Sequence, residues 1–260
     1  MRTALTIAGS DSGGGAGIQA DLKTFAAHEV YGVCAVTAVT AQNTLGVTTT
    51  DPVRTTVVAA QIDAVLADFD VLAIKTGMLA TSAIVAAVCD RLEAYPGVPV
   101  VVDPVLVSTS GHRLLDDQAL ALVRTRLLPR AALLTPNRRE AEVLAGQPIT
   151  TRQHAADAAA RLREMGAAAV VVTGGDQDGP DAVDLLDDGH GVSELRGRKL
   201  DSRATHGTGC TFSAAIAAHL ARGAALGDAV VAAKRYVEAA IDHAHPLGRG
   251  YGPLNHFWNK

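Results

Sequence analysis

Aromatic residues are scarce in this sequence, since Phe, Trp and Tyr together make up 3% of its 260 residues. Cysteine is scarcer still, with three residues at Cys34, Cys89 and Cys210. An odd and sparse set of cysteines argues against a disulfide framework and for a reducing compartment, so we expect a cytoplasmic protein. No uninterrupted apolar run approaches about 20 residues, so we expect no membrane span.

An excess of positive charge is also missing. The chain carries 23 Lys and Arg against 27 Asp and Glu, which gives a formal net charge of −4. Proteins that bind nucleic acid usually concentrate basic residues on one face, so we expect no nucleic-acid partner. The N-terminus runs directly into a strand-like segment and lacks the apolar run and cleavage site of a secretory signal.

Short apolar runs alternate with amphipathic segments along most of the chain. The strand-like runs lie at residues 4–8, 33–40, 71–76, 98–102, 132–135 and 168–173. The helix-like segments lie at residues 16–28, 54–67, 81–95, 116–128, 138–145, 152–165, 208–222 and 226–243. This alternation predicts an α/β fold with a mainly parallel, doubly wound sheet, in a single domain of residues 1–260. Residues 42–53 read as a short β-like flap, and residues 181–200 as antiparallel strands.

Residues 205–211 (Thr-His-Gly-Thr-Gly-Cys-Thr) precede an apolar run and carry the strongest local signal. Gly207 and Gly209 let backbone amides crowd around one point, and a helix starting there adds free N–H groups and its dipole. Such an arrangement binds anions, most naturally phosphate. Cys210 falls on the first helical turn, where the pKa of a thiol is expected to drop. The alternative is a tight turn in front of an ordinary core helix.

Polar side chains also follow two of the predicted strands. Asp103 ends one strand, and Asn137 and Glu140 lie three residues apart at a helix start after the next. Ligands of doubly wound sheets bind beyond these strand ends, and Mg²⁺ is usually held by one or two carboxylates plus substrate phosphates. The alternative for Asn137 and Glu140 is a capping box, and the two roles can coexist.

Other polar groups are candidates for contacts with a flat ligand. The glycine-rich loop at residues 9–17 is neither a Walker A loop nor a dinucleotide fingerprint, and its Asp11 suits a polar heterocycle or hydroxyl better than a phosphate. Gln42 offers a planar amide. Met78 could pack on a flat ring or fill the core. The turn after Thr173 could pass under a nucleotide phosphate or simply bend the chain.

Taken in order, these motifs resemble the ribokinase-like superfamily over nearly the whole chain. The resemblance is carried by residues 8–23, 37–44, 75–79, 102–105, 135–141 and 205–211. Within the superfamily the chain is similar to the hydroxymethylpyrimidine/phosphomethylpyrimidine kinases of thiamine biosynthesis. The resemblance implies a three-layer α/β/α sandwich, a homodimer, and ATP- and Mg²⁺-dependent phosphorylation of 4-amino-5-hydroxymethyl-2-methylpyrimidine, then of its monophosphate to the diphosphate.

The resemblance also implies roles for individual residues. Those expected to bind the pyrimidine are Gln42, Asp11, Gly9, Val39 and Met78. Those expected at the ATP phosphates are Asp103, Asn137, Glu140, Thr173, His206 and Thr208, with Asp103 and Glu140 holding Mg²⁺ partly through water. Gly207, Thr208 and Gly209 would form the anion hole, and Cys210 would be the catalytic residue.

The chain departs from the pattern of better-studied members at Thr173 and Thr109, where lysines are common, and at Asp176, where histidine is common. Arg113, Lys199 or Arg203 are hypothetical replacements for the missing cations. Two alternative functions stay open on the sequence alone. One is a pyridoxal or pyridoxine kinase of the same fold, and the other is a non-catalytic nucleotide-binding homologue.

Overall fold

The structure is a computed structural model that describes residues 1–106, 115–174 and 181–260. One sheet runs through all three ranges, with helices on both of its faces. Its strands are β1 (Thr3–Asp11), β2 (Tyr31–Asn43), β3 (Gly46–Pro52), β4 (Val71–Thr76), β5 (Val100–Val102), β6 (Ala131–Leu134), β7 (Val170–Val172), β8 (Asp181–Asp187) and β9 (Val192–Arg198). The α-helices are α1 (Gly17–Ala27), α2 (Thr55–Asp68), α3 (Ser82–Glu93), α4 (Asp117–Leu122), α5 (Arg138–Ala145), α6 (Arg152–Glu164), α7 (Thr208–Ala221) and α8 (Leu226–Asp242).

The strand order is β3-β2-β1-β4-β5-β6-β7-β8-β9. All pairs from β2 to β7 are parallel, whereas β3, β8 and β9 add antiparallel strands at the two edges. The chain passes from β1 to β2 on one side and later returns to β4 on the other side of β1. The carboxyl ends of β1 and β4 therefore flank a topological switch point, which is where open α/β sheets bind ligands.

Both faces of the sheet are buried over its central strands, which explains why those strands are nearly continuously apolar. The valines of β5 and β7 are at most 1% exposed. One core cluster joins the sheet to α2, α3, α5 and α6, and a second joins it to α1, α7 and α8. The predicted three-layer α/β/α architecture with a mostly parallel sheet is therefore confirmed.

Some local predictions need correction. The predicted helix at residues 116–128 is α-helical only over Asp117–Leu122, continues as a π-turn and ends in a 3₁₀ turn at Leu128–Arg130. Pro129 has no N–H to donate to the preceding turn, so the α-helical hydrogen-bond pattern cannot continue there. The predicted flap forms the end of β2, a turn and β3, and residues 181–198 form the β8–β9 hairpin. Within the described residues, every helix is too short or too polar to cross a bilayer.

Candidate active site

A cleft of about 400 Å³ opens at the carboxyl ends of the central strands, beside the start of α7. Nearly all of the predicted site residues line it. They are Gly9, Asp11, Gln42, Met78, Asp103, Asn137, Glu140, Thr173, His206, Gly207, Thr208, Gly209 and Cys210. The predicted phosphate loop and the predicted strand-end residues therefore share one cavity, although they come from segments far apart in the sequence.

Val39 is the exception among the predicted substrate-binding residues. Its side chain is 53% exposed and it is absent from the lining of the cleft, whereas its neighbour Thr40 lines it. Successive side chains on a strand point to opposite faces, so Thr40 and Val39 on β2 cannot both face the ligand. The geometry of the cleft therefore gives no support for a contact between Val39 and the substrate.

The phosphate loop is packed directly against the glycine-rich loop after β1. Gly207 adopts a φ of +85°, and a Cβ atom placed on it would lie 1.8 Å from the carbonyl oxygen of Gly15. A Cβ atom on Gly15 would in turn lie 2.5 Å from Cδ2 of His206. Only glycine tolerates this approach, so both glycines are required for the two loops to meet across the cleft.

Gly209 has a different role from Gly207. It lies in the first turn of α7, and a Cβ atom placed on it would meet open space. The first N–H groups of a helix have no intrahelical acceptor and carry the positive end of the helix dipole. A side chain at this position would occupy the space in front of those donors. We name this space the anion cradle, and glycine at position 209 leaves it open for a ligand.

The thiol of Cys210 does not have the lowered pKa that its helix position predicts. Burial raises its pKa to about 12, with the nearby Asp103 and Asp21 carboxylates adding to the shift and Lys75 opposing it. The helix N-terminus is a favourable site for a thiolate, but loss of hydration beside two carboxylates outweighs it. The prediction of a depressed pKa is therefore wrong, and the thiol is protonated at neutral pH.

A buried lysine beneath the cradle was not assigned a role from the sequence. Lys75 is fully buried, and its Nζ lies 2.9 Å from Asp21 Oδ2 and 3.9 Å from Asp103 Oδ2. Burial opposes its charge, but the Asp21 and Asp103 carboxylates raise its pKa, so Lys75 stays an ammonium. The signal in the sequence was a single lysine inside the apolar strand β4, one residue before its carboxyl end.

Asp103 is the second buried charge of this cluster. Its Oδ2 accepts a hydrogen bond from Ser213 Oγ at 3.3 Å. Burial raises its pKa despite the nearby Lys75, and Asp21 adds to the increase. Asp21, Asp103 and the Cys210 thiol therefore surround one cation on the floor of the cleft.

At the opposite end of the cleft, Asp11 organises the loop after β1. Its carboxylate accepts N–H groups of Gly13, Gly15 and Ala16 at 2.8, 3.0 and 2.8 Å, and it lies 2.8 Å from Nε2 of His206. Burial alone would raise its pKa, but His206 and these backbone donors together lower it. Its hydrogen-bonding capacity is therefore largely used within the protein, which favours loop positioning over direct substrate binding.

His206 and Gln42 extend this network toward the ligand. Nε2 of His206 lies 3.3 Å from Nε2 of Gln42, and Oε1 of Gln42 accepts the Thr40 hydroxyl at 3.1 Å. The sequence prediction placed His206 at the ATP phosphates, but its ring contacts Asp11 and Gln42. Its contacts therefore place its side chain at the end of the cleft predicted to bind the pyrimidine.

Asn137 and Glu140 form the capping box of α5. The Asn137 side chain accepts from Glu140 N, and Glu140 Oε2 accepts from Asn137 N, both at 3.0 Å. Oε1 of Glu140 accepts from Leu106 N at 3.1 Å, which ties the loop after β5 to the same helix start. Thr173 is bridged to Asn137 next to this cap. The capping interpretation is confirmed, and both residues nevertheless line the cleft.

Two of the three basic residues suggested as replacements for the missing lysines, Lys199 and Arg203, do not lie at the cleft. Thr109, Arg113 and Asp176 lie outside the described residues. Lys199 and Arg203 are exposed and are absent from the lining of the cleft.

Comparison with known proteins adds independent support. The sequence model of the phosphomethylpyrimidine kinase family matches residues 11–255. A hydroxymethylpyrimidine/phosphomethylpyrimidine kinase from Synechococcus elongatus is 50% identical over 259 residues, which cover 98% of this chain and 97% of that protein. A thiamine biosynthesis bifunctional protein, ThiED, from Geobacter sulfurreducens is 48% identical over 97% of this chain and 51% of its own length.

A solved structure with the same fold is the ADP complex of Bacillus subtilis pyridoxal kinase. It is 40% identical, covers 98% of this chain and 97% of its own, and superposes with a TM-score of 0.93. The predicted ribokinase-like fold is therefore confirmed, as is kinase homology, although structural likeness alone does not distinguish pyrimidine from pyridoxal kinases. Because the family's sequence model and near-full-length relatives agree, the chain belongs to the phosphomethylpyrimidine kinase family.

Proposed function

We propose that this protein is an ATP-dependent kinase that phosphorylates 4-amino-5-hydroxymethyl-2-methylpyrimidine and then its monophosphate, in thiamine biosynthesis. The observation that carries the proposal is the shared cleft, in which the open cradle at Gly209 faces the same cavity as Gln42. A kinase must hold the transferring phosphoryl group and the acceptor in one place, because positioning and charge neutralisation dominate this reaction.

The acceptor end suits an aminopyrimidine. The carboxamide of Gln42 can both donate and accept hydrogen bonds, which matches a ring carrying an amino group beside a ring nitrogen. The Thr40 hydroxyl orients that amide by donating to its oxygen. Met78 and Gly9 lie next to each other in the cleft, since a Cβ atom on Gly9 would be 2.5 Å from Cε of Met78. They provide an apolar surface for the ring.

The phosphate end suits ATP with Mg²⁺. Asp103 lines the cleft with a carboxylate whose Oδ2 lies 3.9 Å from the Lys75 ammonium. Both oxygens of Glu140 accept backbone N–H groups, so its contact with a cation would run through water. These residues fit a metal that takes most of its ligands from phosphates and water. Bound Mg²⁺ would neutralise charge on the ATP phosphates, with Thr173 and Thr208 lining the same part of the cleft.

We assign to Cys210 the contact with the substrate hydroxyl group that attacks the γ-phosphoryl group of ATP. Its thiol is protonated, so in this state of the cleft it orients the hydroxyl by hydrogen bonding and does not hold its proton. That role is compatible with a loose transition state, in which the hydroxyl proton leaves late and can pass to an oxygen of the phosphoryl group that is being transferred. In the second transfer the nucleophile is a phosphate oxygen that is already ionised, so that step depends less on Cys210.

The decisive experiment is a substrate assay of the purified protein with ATP and Mg²⁺. We expect conversion of the pyrimidine alcohol to its monophosphate and then its diphosphate, followed by mass spectrometry. Pyridoxal is the competing acceptor, and it is favoured by the pyridoxal kinase structure with a TM-score of 0.93. A kcat/KM higher for pyridoxal than for the pyrimidine would replace the proposal, and absence of turnover with both would indicate a non-catalytic homologue.

We further propose that the protein is a cytoplasmic homodimer. All three cysteines are free, which supports a reducing compartment. Exposed apolar side chains lie along β2 and the end of α2, where Val39 is 53% exposed and Tyr31 stacks on Phe69 at 6.1 Å. Such surface is commonly covered in oligomers. Sedimentation equilibrium tests this, and a monomer mass at micromolar concentration would reject the dimer.

A further inference from the structure

The segment at residues 248–253, which we name the C-terminal strap, reaches the pyrimidine end of the cleft. Arg249 N and Gly250 N each donate to Thr44 Oγ1 at 3.2 Å, and Tyr251 N donates to the Thr44 carbonyl at 2.9 Å. On its other side, Gly252 accepts from His206 N at 3.0 Å. The strap therefore joins the β2–β3 turn to the loop that precedes α7.

Glycines make this contact possible. A Cβ atom on Gly250 would lie 1.9 Å from the Thr44 carbonyl oxygen, and one on Gly248 would lie 2.3 Å from Thr44 Oγ1. Gly248 also has a φ of +75°, which side chains rarely adopt. A tail that merely rested on the surface would not need two glycines at van der Waals contact with one threonine. The packing therefore specifies where the strap, and the residue it presents, must lie.

The residue presented to the cleft is Tyr251. It lines the cavity and is 55% exposed. Among the described residues that line the cleft, it is the single Phe, Tyr or Trp. Its neighbours in the strap contact Thr44, two residues beyond Gln42, and His206, whose ring lies 3.3 Å from Gln42 Nε2. An aromatic ring is therefore held at the same end of the cleft as the amide assigned to the pyrimidine.

We propose that Tyr251 is a substrate-binding residue whose ring stacks on the planar heterocycle held by Gln42, and that the C-terminal strap positions it. This inference rests on the proposed function. Stacking on an aromatic side chain is effective for any flat π-system and needs few hydrogen bonds. The ring would therefore contribute affinity for the acceptor, while the phosphate end would be unaffected.

The test compares steady-state constants for Tyr251→Ala with those for Phe257→Ala. Phe257 is a matched control, because it is 42% exposed in the same C-terminal region but is absent from the lining of the cleft. We expect Tyr251→Ala to raise the KM for the pyrimidine alcohol about tenfold, with kcat and the KM for ATP within about twofold of wild type. Phe257→Ala should leave all three constants at wild-type values.

Two more substitutions distinguish the effect of the aromatic ring from the effect of side-chain volume. Tyr251→Phe should keep the wild-type KM, whereas Tyr251→Leu should behave like Tyr251→Ala. An unchanged pyrimidine KM in both Tyr251→Ala and Tyr251→Leu would overturn the inference, as would equal increases in the two KM values, which indicate general distortion. Wild-type protein without turnover would instead reject the proposed function itself, so the two failures are distinguishable.

The strap is tested through Thr44, whose hydroxyl accepts two of its N–H groups. Thr44→Val removes that acceptor and should raise the pyrimidine KM in the same way as Tyr251→Ala. Thr44→Ser keeps the hydroxyl and should restore the wild-type value. A Thr44→Val variant with a wild-type KM would show that the strap does not position Tyr251.

Discussion

The two ends of the cleft each contain a buried aspartate, and the protein surrounds these carboxylates very differently. Asp11 accepts three backbone N–H groups and lies 2.8 Å from the His206 ring, and its pKa is lowered. Asp103 has the Ser213 hydroxyl at 3.3 Å and the Lys75 ammonium at 3.9 Å, and burial raises its pKa. One carboxylate is stabilised as an anion, and the other is not.

This difference indicates that Asp11 has a structural role, whereas Asp103 belongs to the part of the cleft that carries the chemistry. At the acceptor end the hydrogen bonds of Asp11 stabilise one conformation of the loop after β1. At the phosphate end the Asp21 and Asp103 carboxylates share one cation among the described residues, Lys75, so this pair of carboxylates carries more negative than positive charge. Buried charge that lacks compensation is retained mainly where function requires it. The floor of the cleft therefore favours binding of a further cation.

The largest expected effect comes from removing Lys75. In Lys75→Met the Asp21 carboxylate loses its ion-pair partner in a fully buried position, and breaking a buried pair from one side typically costs about 3–5 kcal/mol. We expect the free energy of unfolding in urea to fall by this amount. The double variant Lys75→Met/Asp21→Leu should recover most of the stability, because apolar residues can replace a buried pair.

Arg91→Met provides the control for this prediction. Its pair with Asp63 has the same 2.9 Å separation but lies on the surface, with side-chain exposures of 34% and 52%. Exposed pairs contribute little, so its unfolding midpoint should stay near that of wild type. If Lys75→Met were equally well tolerated, the floor would not depend on its cation as described.

Substitutions at two glycines of the phosphate loop should affect stability and turnover separately. Gly209→Ala places a methyl group in open space within the first turn of α7, so the melting temperature should be unchanged or higher. Because the methyl group occupies the cradle, turnover should fall about 10²–10³-fold. Gly207→Ala should instead destabilise the whole protein, since its Cβ would lie 1.8 Å from the Gly15 carbonyl. Wild-type turnover in Gly209→Ala would show that the transferred phosphoryl group does not bind in the cradle at Gly209.

Cys210→Ala should reduce the first phosphoryl transfer by up to about 10²-fold, because loss of the group that orients the attacking hydroxyl misplaces the nucleophile. The second transfer uses an ionised phosphate oxygen and should lose much less. Rates measured separately with the alcohol and with the monophosphate check this division. Equal losses in both steps would assign Cys210 to the cradle, with no particular role toward the hydroxyl group.

The contrast between the two ends also explains what could be predicted from the sequence. The phosphate end depends on glycines, a helix start and strand-end carboxylates, which leave signals over a few adjacent residues. Gly207, Gly209, Asp103 and the capping box of Asn137 with Glu140 were identified for that reason. The central parallel strands were predicted because each contains a short apolar run, and only their ends shifted by a few residues.

The acceptor end could be predicted only in part, because its contacts join distant segments. Asp11 and His206 are 195 residues apart, and neither neighbourhood indicates that they pair. Val39 was assigned to the substrate from the family resemblance, whereas in the structure it is 53% exposed and lies beside a bulge in the pairing of β1 with β2. The pKa of Cys210 was predicted from its helix position, whereas burial beside Asp103 and Asp21 decides it.

The smallest expected effects test the comparison of the two aspartates directly. Asp11 has a lowered pKa, so its contribution to stability is present above its unfolded value of 3.8 and is lost as the pH falls through the folded value. Asp103 has a raised pKa, so its ionisation costs stability at neutral pH, and that cost disappears as the pH falls toward 3.8. Asp11→Asn should therefore lower the free energy of unfolding at pH 7, and Asp103→Asn should raise it while abolishing turnover. Urea titrations at pH 7 and pH 4 measure both variants, and changes of the same sign at pH 7 would mean that the two ends of the cleft do not differ in this way.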